Sequence, residues 1–132
     1  MQATREKHKF IVNAFCMKDF KKLIVWQKGF TLFIESHKLC KKLPAEEKFE
    51  MASQLRRAAF SIPANIAEGG AKATNAHKKI FYETALGSAY ETETALLALN
   101  ELYPALSNDC SQLLGICIEV QKMLISLIDK LS

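Results

Sequence analysis

Residues 53–69 read SQLRRAAFSIPANIAEG and combine a helical apolar spacing with an internal proline. Apolar residues recur at steps of four, three and four and therefore lie on one face of a helix: Leu55, Ala59, Ile62 and Ile66. A polar stripe runs beside it, made of Gln54, Arg57, Ser61, Asn65 and Glu68. Pro63 lies inside this pattern, where a proline costs ~3 kcal/mol and bends the helix. The stretch therefore predicts a long helix with a kink at Pro63 and a packing role for that kink.

The composition of the whole chain favours helices over a sheet. Its 132 residues fit one domain, with only five glycines and three prolines. No stretch approaches the ~20 uncharged apolar residues of a membrane span. The first residues also lack the apolar core and cleavage site of a secretory signal. We therefore expect a cytoplasmic protein without a membrane segment.

Apolar periodicity outside the central stretch predicts three more helices. The helix that contains the central stretch is expected over residues 45–68. The other three are expected over residues 18–43, over residues 75–103, and from a cap among residues 107–109 to residue 131. Residues 1–17 show no periodicity and are predicted to form a loose arm ahead of a single domain over 18–132. Because the links are short, neighbouring helices must run in opposite directions. The predicted fold is all-α, an antiparallel up-down four-helix bundle whose second helix is kinked by proline.

The first predicted helix carries two apolar seams on nearly opposite sides. One is rich in aromatic residues and is predicted to face the core: Leu23, Trp26, Phe30, Phe33, His37 and Cys40. The other mixes aliphatic and small residues: Val25, Gly29, Leu32, Ser36, Leu39 and Leu43. We predict that this second seam is buried against another subunit.

Second apolar stripes recur on the other helices. A helix of a lone four-helix bundle needs only one such stripe. The pattern therefore favours a homo-oligomer over a thick core with scattered exposed apolar residues. The predicted interface residues are Val25, Leu32, Leu39, Phe60, Gly87, Leu114, Ile118 and Ile125.

Charge is distributed unevenly along the chain. Residues 1–82 hold 16 Lys and Arg against 7 Asp and Glu, whereas residues 83–132 hold 2 against 7. This asymmetry indicates either a surface for a polyanion such as RNA or DNA, or attraction between the two halves of the fold. An antiparallel bundle would bring residues 18–28 near residues 72–79. The candidate nucleic-acid contacts are Lys18, Lys21, Lys22, Lys28, Arg56, Arg57, Lys72, Lys78 and Lys79.

Some of these cations also have a structural interpretation. Arg57 is suited to a phosphate, but equally to a carboxylate at a helix interface, and Glu91 or Glu93 would supply one. We favour this pairing for the arginine. Neither base-stacking aromatics nor a recognition helix stands out, so any nucleic acid would be recognised by shape or charge.

No constellation of residues predicts catalysis or a cofactor. The four cysteines form no CxxC pair, and neither His37 nor His77 belongs to a Glu-x-x-His motif of a di-iron bundle. Asn65 is expected to supply hydrogen bonds where Pro63 interrupts the helix, together with Ser61. We therefore predict a protein that is not an enzyme and holds neither metal nor cofactor.

Several of these segments resemble a known family of four-helix bundles. They are FKKLIVWQKG, LPAEEKF, SQLRRAAFSIPANIAEG, ALGSAYETET and KMLISLIDKL, spread over residues 20–131. The family is named for proteins encoded in intervening sequences of bacterial 23S rRNA genes. It includes the accessory variability determinant of diversity-generating retroelements.

The resemblance implies an assembly and partners. It implies a ring of five subunits that presents basic surface to nucleic acid, with a reverse transcriptase as partner. The chain departs from the family pattern in the link GGAKATNAHKKI, which carries Lys72, His77 and Lys78. The alternative hypothesis is an oligomeric scaffold that binds only itself or another protein, with the lysines serving solubility.

Overall fold

The computed structural model describes residues 19–47 and 49–132, so the predicted arm and Lys18 lie outside the described residues. Within this part of the chain are four α-helices and three short 3-10 turns. The helices are α1 (Ile24–Cys40), α2 (Met51–Ala71), α3 (Asn75–Leu102) and α4 (Ser107–Lys130). The turns are Phe20–Lys22, Ala45–Glu47 and Pro104–Leu106. The predicted all-α class is confirmed.

The helices pack in chain order as an antiparallel bundle. Each helix contacts the next one along the chain, and α4 returns to contact α1. The contact between α2 and α3 is the most extensive, and the contact between α4 and α1 is the least. The predicted four-helix bundle is therefore confirmed.

Three of the four predicted core seams face the interior. The α2 residues Leu55, Ala59, Ile62 and Ile66 have no exposed surface. On α3 and α4 the fully or nearly fully buried members of the seams are Ala85, Ala89, Thr92, Leu96, Leu99, Leu113, Cys117, Val120 and Leu124. The helical period placed these residues correctly, because each of these helices has one clearly dominant apolar face.

The orientation predicted for α1 is wrong. Val25, Leu32 and Leu39 are 6%, 0% and 3% exposed in the single chain, so they belong to its core and not to an interface between copies. The small residues on their seam explain this orientation. A Cβ atom on Gly29 would lie 3.1 Å from Cγ2 of Ile62, so α1 and α2 approach closely at that point. The aromatic seam is less buried: Cys40 at its end belongs to the core and Trp26 packs against the core, whereas Phe30 is 43% exposed.

Both ends of α1 and both ends of α2 differ from the predicted bounds of 18–43 and 45–68, since α1 spans Ile24–Cys40 and α2 spans Met51–Ala71. The chain from residue 20 first forms a 3-10 turn capped by Asp19, and α1 begins only at Ile24. The second helix, α2, continues through Gly69 and Gly70 to Ala71, beyond its predicted end at residue 68. Gly69 serves packing instead, since a Cβ atom there would lie 2.6 Å from Cε1 of the buried Tyr82.

The predicted hydrogen bonds around Pro63 are present. The Asn65 side-chain amide donates to the carbonyl oxygen of Ser61 at 2.8 Å and to its hydroxyl at 2.9 Å. The Ser61 hydroxyl also lies 2.7 Å from the hydroxyl of Ser88 on α3. The polar stripe of α2 thus links this helix to α3 beside the proline.

The fourth helix is more apolar than expected. The segment Pro104–Lys130 is long and apolar enough to cross a membrane by length and composition, since an 18-residue stretch of it has a mean hydropathy of 1.4. Glu119 and Lys122 interrupt its apolar residues, so it is not the uncharged stretch of ~20 residues whose absence was predicted. In the bundle this helix is tied to α3 by polar contacts: the Cys117 thiol donates to the Ala89 carbonyl at 3.2 Å, and the Gln121 amide donates to the Glu93 carboxylate at 2.7 Å.

Candidate nucleic-acid interface

Two groups of lysines lie at one end of the bundle. The 3-10 turn before α1 packs against the end of α2, since a Cβ atom on Gly70 would lie 3.6 Å from Cβ of Phe20. The Lys78 ammonium lies 3.3 Å from the carbonyl oxygen of the same Gly70. We call this region the basic end and define it by Lys21, Lys22, Lys72, Lys78 and Lys79.

Several of these cations already have partners within the chain. Lys72 lies over the ring of Phe81, 4.8 Å from its centroid. Lys79 lies 4.0 Å from the carboxylate of Glu83, and Lys28 lies 2.9 Å from that of Glu119. The basic end is thus built partly from structural contacts.

Lys21 and Lys22 differ from the other lysines of this end. Both side chains are exposed, and neither forms an ion pair with any residue of 19–47 or 49–132. They are the cations of the basic end most available to an external anion.

The two arginines of α2 do not pair as expected. Within the described residues, neither Arg56 nor Arg57 forms an ion pair, and the carboxylate of Glu93 accepts from Gln121 instead. Arg57 is exposed. Arg56 is half-buried near α1, where burial raises the pKa of the Cys40 thiol and the Arg56 charge opposes that rise.

A row of aromatic rings runs along the outer side of α1 and α2. We call it the aromatic strip and define it by Phe20, Trp26, Phe30, Phe33 and Phe60. Trp26 stacks on Phe30 with ring centroids 5.0 Å apart and packs edge-on against Phe20 at 5.2 Å. Phe33 packs edge-on against Phe60 at 5.3 Å. Phe30 and Phe60 remain 43% and 55% exposed, so two rings of the strip face solvent.

Basic residues lie at both ends of the aromatic strip. On α1 the stripe of Trp26, Phe30, Phe33 and His37 continues at helical spacing to Lys41 at its C-terminal end, while Lys22 lies in the 3-10 turn that precedes the helix. Both lysines are exposed. The single carboxylate of α1, Glu35, lies on another side of the helix and pairs with Lys38 at 3.3 Å.

A second exposed surface runs along α3. Its residues follow one another at steps of three and four: Ile80, Glu83, Gly87, Tyr90, Thr94, Leu97 and Glu101. We call this set the outer α3 stripe. Ile80, Tyr90 and Leu97 are 57%, 48% and 50% exposed. Beside the stripe, α2 and α3 form an open groove of about 450 Å³ lined by Met51, Gln54, Ala58, Tyr90, Glu91, Thr94, Ala95 and Ala98.

The remaining predicted interface residues lie on outer faces. Phe60, Gly87, Ile118 and Ile125 are exposed, and Leu114 is half-buried. Their contact with another copy stays a prediction. The three predicted interface residues of α1 are excluded, because they are already buried within the chain.

The titratable groups of the core are not arranged as a reactive site. No group of three or more His, Cys, Asp and Glu residues in the described part of the chain is placed to hold a metal ion. Burial raises the pKa of Cys117 to about 11, and the hydrogen bond with Gln121 opposes that rise only in part. Such a thiol stays protonated at neutral pH and behaves as a small apolar group.

Comparison with known proteins identifies the family of this bundle. The family described as 23S rRNA-intervening sequence protein matches residues 21–126, which include most of each helix. The chain belongs to this family. The resemblance predicted from the sequence is therefore confirmed.

A solved structure supports the same assignment. The chain is similar to a protein of unknown function from the S23 ribosomal protein family of Bacteroides thetaiotaomicron, with 28% sequence identity and a TM-score of 0.74. The match covers 80% of this chain and 98% of that one. A search of curated proteins finds no match. Membership of the 23S rRNA-intervening sequence protein family thus defines the fold and leaves the function to be argued from the surface.

Two features of this family member were missed in the sequence. The aromatic strip was assigned to the core, and the apolar residues of the outer α3 stripe were not singled out. The signal for the strip was present in Gly29 and Ser36, since small residues among aliphatic ones indicate the seam that approaches another helix. The signal on α3 was also present, because Ile80, Tyr90 and Leu97 lie on the same helix face as Gly87 and Thr94, at steps of three and four along the chain.

Proposed function

We propose that this chain is a non-enzymatic, cytoplasmic helical-bundle protein that forms homo-oligomers and binds RNA or DNA through basic surface. The observation that supports it most directly is the basic end, where the turn before α1 meets the link between α2 and α3. Exposed Lys21 and Lys22 lie there beside the lysines of that link. Repetition of this end in a symmetric oligomer would multiply its attraction for phosphates.

The proposed binding mode is electrostatic and independent of sequence. Each phosphate neutralised by a lysine releases counterions, so affinity falls as the salt concentration rises. We further propose, from the family resemblance, that the assembly is a ring of five copies and that a reverse transcriptase is among its partners.

The binding proposal is tested by measuring the anisotropy of labelled single-stranded and duplex RNA between about 50 and 200 mM salt. We expect log affinity against log salt to be a line whose slope changes by roughly 0.7 to 0.9 for each phosphate contact. The double variant Lys21→Glu, Lys22→Glu should bind at least about tenfold more weakly at low salt and with a shallower slope.

The matched control places the same charge change elsewhere. Lys38→Glu, Lys42→Glu also reverses two exposed lysines, which lie in and just after the last turn of α1, at the opposite end of the bundle. This variant should keep most of the affinity. Absence of RNA binding by the natural chain at low salt would contradict the proposal. An equal loss of RNA affinity in both double variants would show that the basic end is not the binding site.

A second candidate function is an oligomeric scaffold without nucleic-acid binding. The outer α3 stripe favours it, because three large apolar side chains share one helix face there with Gly87 and are half exposed. The two double lysine-to-glutamate variants distinguish this function from nucleic-acid binding. A scaffold would assemble unchanged in both double variants and show no RNA affinity to lose.

A further inference from the structure

We propose that the aromatic strip binds single-stranded nucleic acid by stacking unpaired bases on its exposed rings. This inference rests on the proposed function and adds to it a surface and a substrate class. It starts from the unexpected orientation of α1, which leaves Phe30 exposed and Trp26 and Phe33 half-buried. Phe30 and Phe60 would then be the rings that receive bases.

The rings are held in place before any ligand arrives. Trp26 stacks on Phe30 with an angle of 16° between the ring planes, and Phe20 closes the other side of Trp26. Phe33 supports Phe60 across the two helices. Because each exposed ring is braced by a neighbour, its face is presented to solvent at little further cost in side-chain entropy.

The dimensions of the strip suit a short run of bases. Trp26 and Phe33 are seven residues apart on α1, which corresponds to ~11 Å along the helix axis. Stacked bases are spaced by ~3.4 Å, so the strip has room for about three of them. A base pair in a duplex hides both faces of its bases, so only an unpaired strand can use this surface fully.

The charge around the strip selects a polyanion over an apolar protein partner. Exposed Lys22 and Lys41 lie at the two ends of the strip, and the half-buried Arg56 lies one turn before Phe60 on α2. Glu35, which pairs with Lys38, is the only carboxylate of α1. Cations that alternate with aromatic faces are the combination found in surfaces that bind single strands.

Trp26 gives a direct readout of the proposed contact, since it is the only tryptophan of the chain. The experiment titrates the natural chain with a single-stranded RNA of about twelve nucleotides, with the same strand in a duplex, and with inorganic polyphosphate. We expect the single strand to quench the Trp26 fluorescence and to bind more tightly than the duplex. Polyphosphate, which has no bases, should bind without this quenching.

The variants replace the rings while keeping apolar volume. Phe30→Leu, Phe60→Leu retains side chains that cover the helices but cannot stack on a base. We expect it to bind the single strand at least about fivefold more weakly and to bind polyphosphate unchanged. The matched control is Ile24→Ala, Leu102→Ala, which truncates two apolar residues that are 57% and 58% exposed and belong neither to the aromatic strip nor to the predicted interface. This control should leave the affinity for the single strand unchanged.

Each other outcome overturns the inference in a different way. Equal affinity of the leucine variant and the natural chain for the single strand would contradict base stacking on these rings, while the proposed electrostatic binding would still hold. A smaller assembly with unchanged RNA affinity would make the strip a contact between copies. Failure of the natural chain to bind any of the three probes at low salt would overturn the proposed function itself.

Discussion

Single glycines decide how closely the helices of this bundle approach. Gly69 lies opposite Tyr82, which is only 4% exposed and whose pKa is raised by burial. The space that a side chain would need at Gly69 is filled by the tyrosine ring. Gly69 lies inside α2 and therefore provides space for the tyrosine ring and not a helix end.

We expect Gly69→Ala to lower the free energy of unfolding by about 1–3 kcal/mol, because the new Cβ atom forces Tyr82 or a whole helix to move. Urea denaturation measures the change. Gly115→Ala is the matched control, since no atom lies within 4 Å of its added Cβ atom. That substitution should raise the free energy of unfolding by about 0.5–1 kcal/mol. Equal effects of the two substitutions would contradict the packing argument.

At the scale of the element, α1 shows where the sequence was ambiguous. The α2 seam could be predicted from spacing alone, because Leu55, Ala59, Ile62 and Ile66 had no rival on that helix. On α1 both seams are regular and both are apolar. Hydrophobicity favoured the aromatic one, whereas the fit of Gly29 against Ile62 decided the outcome. Such a fit depends on the surface of another helix, so it could not be deduced from the periodicity of α1.

The orientation of α1 predicts that truncating two residues only two positions apart lowers the free energy of unfolding by different amounts. Leu32→Ala should lower the free energy of unfolding by about 2–5 kcal/mol, since Leu32 is fully buried. Phe30→Ala should cost less than about 1.5 kcal/mol, because this ring is 43% exposed and loses mainly its stacking on Trp26. Denaturant titration of both variants distinguishes the faces. The reverse order of stabilities would restore the aromatic seam to the core.

The candidate site was predictable only in part, for a related reason. The meeting of the two lysine groups followed from the antiparallel order of the helices. The partners of Lys28, Lys72 and Lys79 did not, because each depends on which side chain of a neighbouring turn or helix lies within reach. The pairing expected for Arg57 failed since Glu93 is occupied by Gln121 from α4.

At the scale of the whole molecule, the outer surface is divided between two kinds of face. The aromatic strip and its cations belong to α1 and α2, whereas the outer α3 stripe combines apolar residues with Glu83 and Glu101. In a bundle of four helices placed in chain order, α3 is not a neighbour of α1. One molecule can therefore use α3 to meet other copies while the aromatic strip stays open.

We expect Tyr90→Glu, Leu97→Glu to move the midpoint of assembly to at least about tenfold higher protein concentration, because an interface would bury two unpaired carboxylates. Sedimentation velocity across a dilution series measures this shift. Ile24→Glu is the control, since Ile24 is 57% exposed on α1. If the natural chain sediments as a single subunit at every concentration, the proposal that it forms homo-oligomers is contradicted.

The even number of helices has a practical consequence for anyone who labels this protein. An up-down path through four helices returns the chain to the side from which it started, so the last turn of α4 lies at the same end as the turn before α1. A fluorophore or affinity tag attached after Ser132 would therefore crowd the lysines whose binding it is meant to report. A label on the exposed Ala105, in the corner between α3 and α4, would be kept apart from them by the length of the bundle.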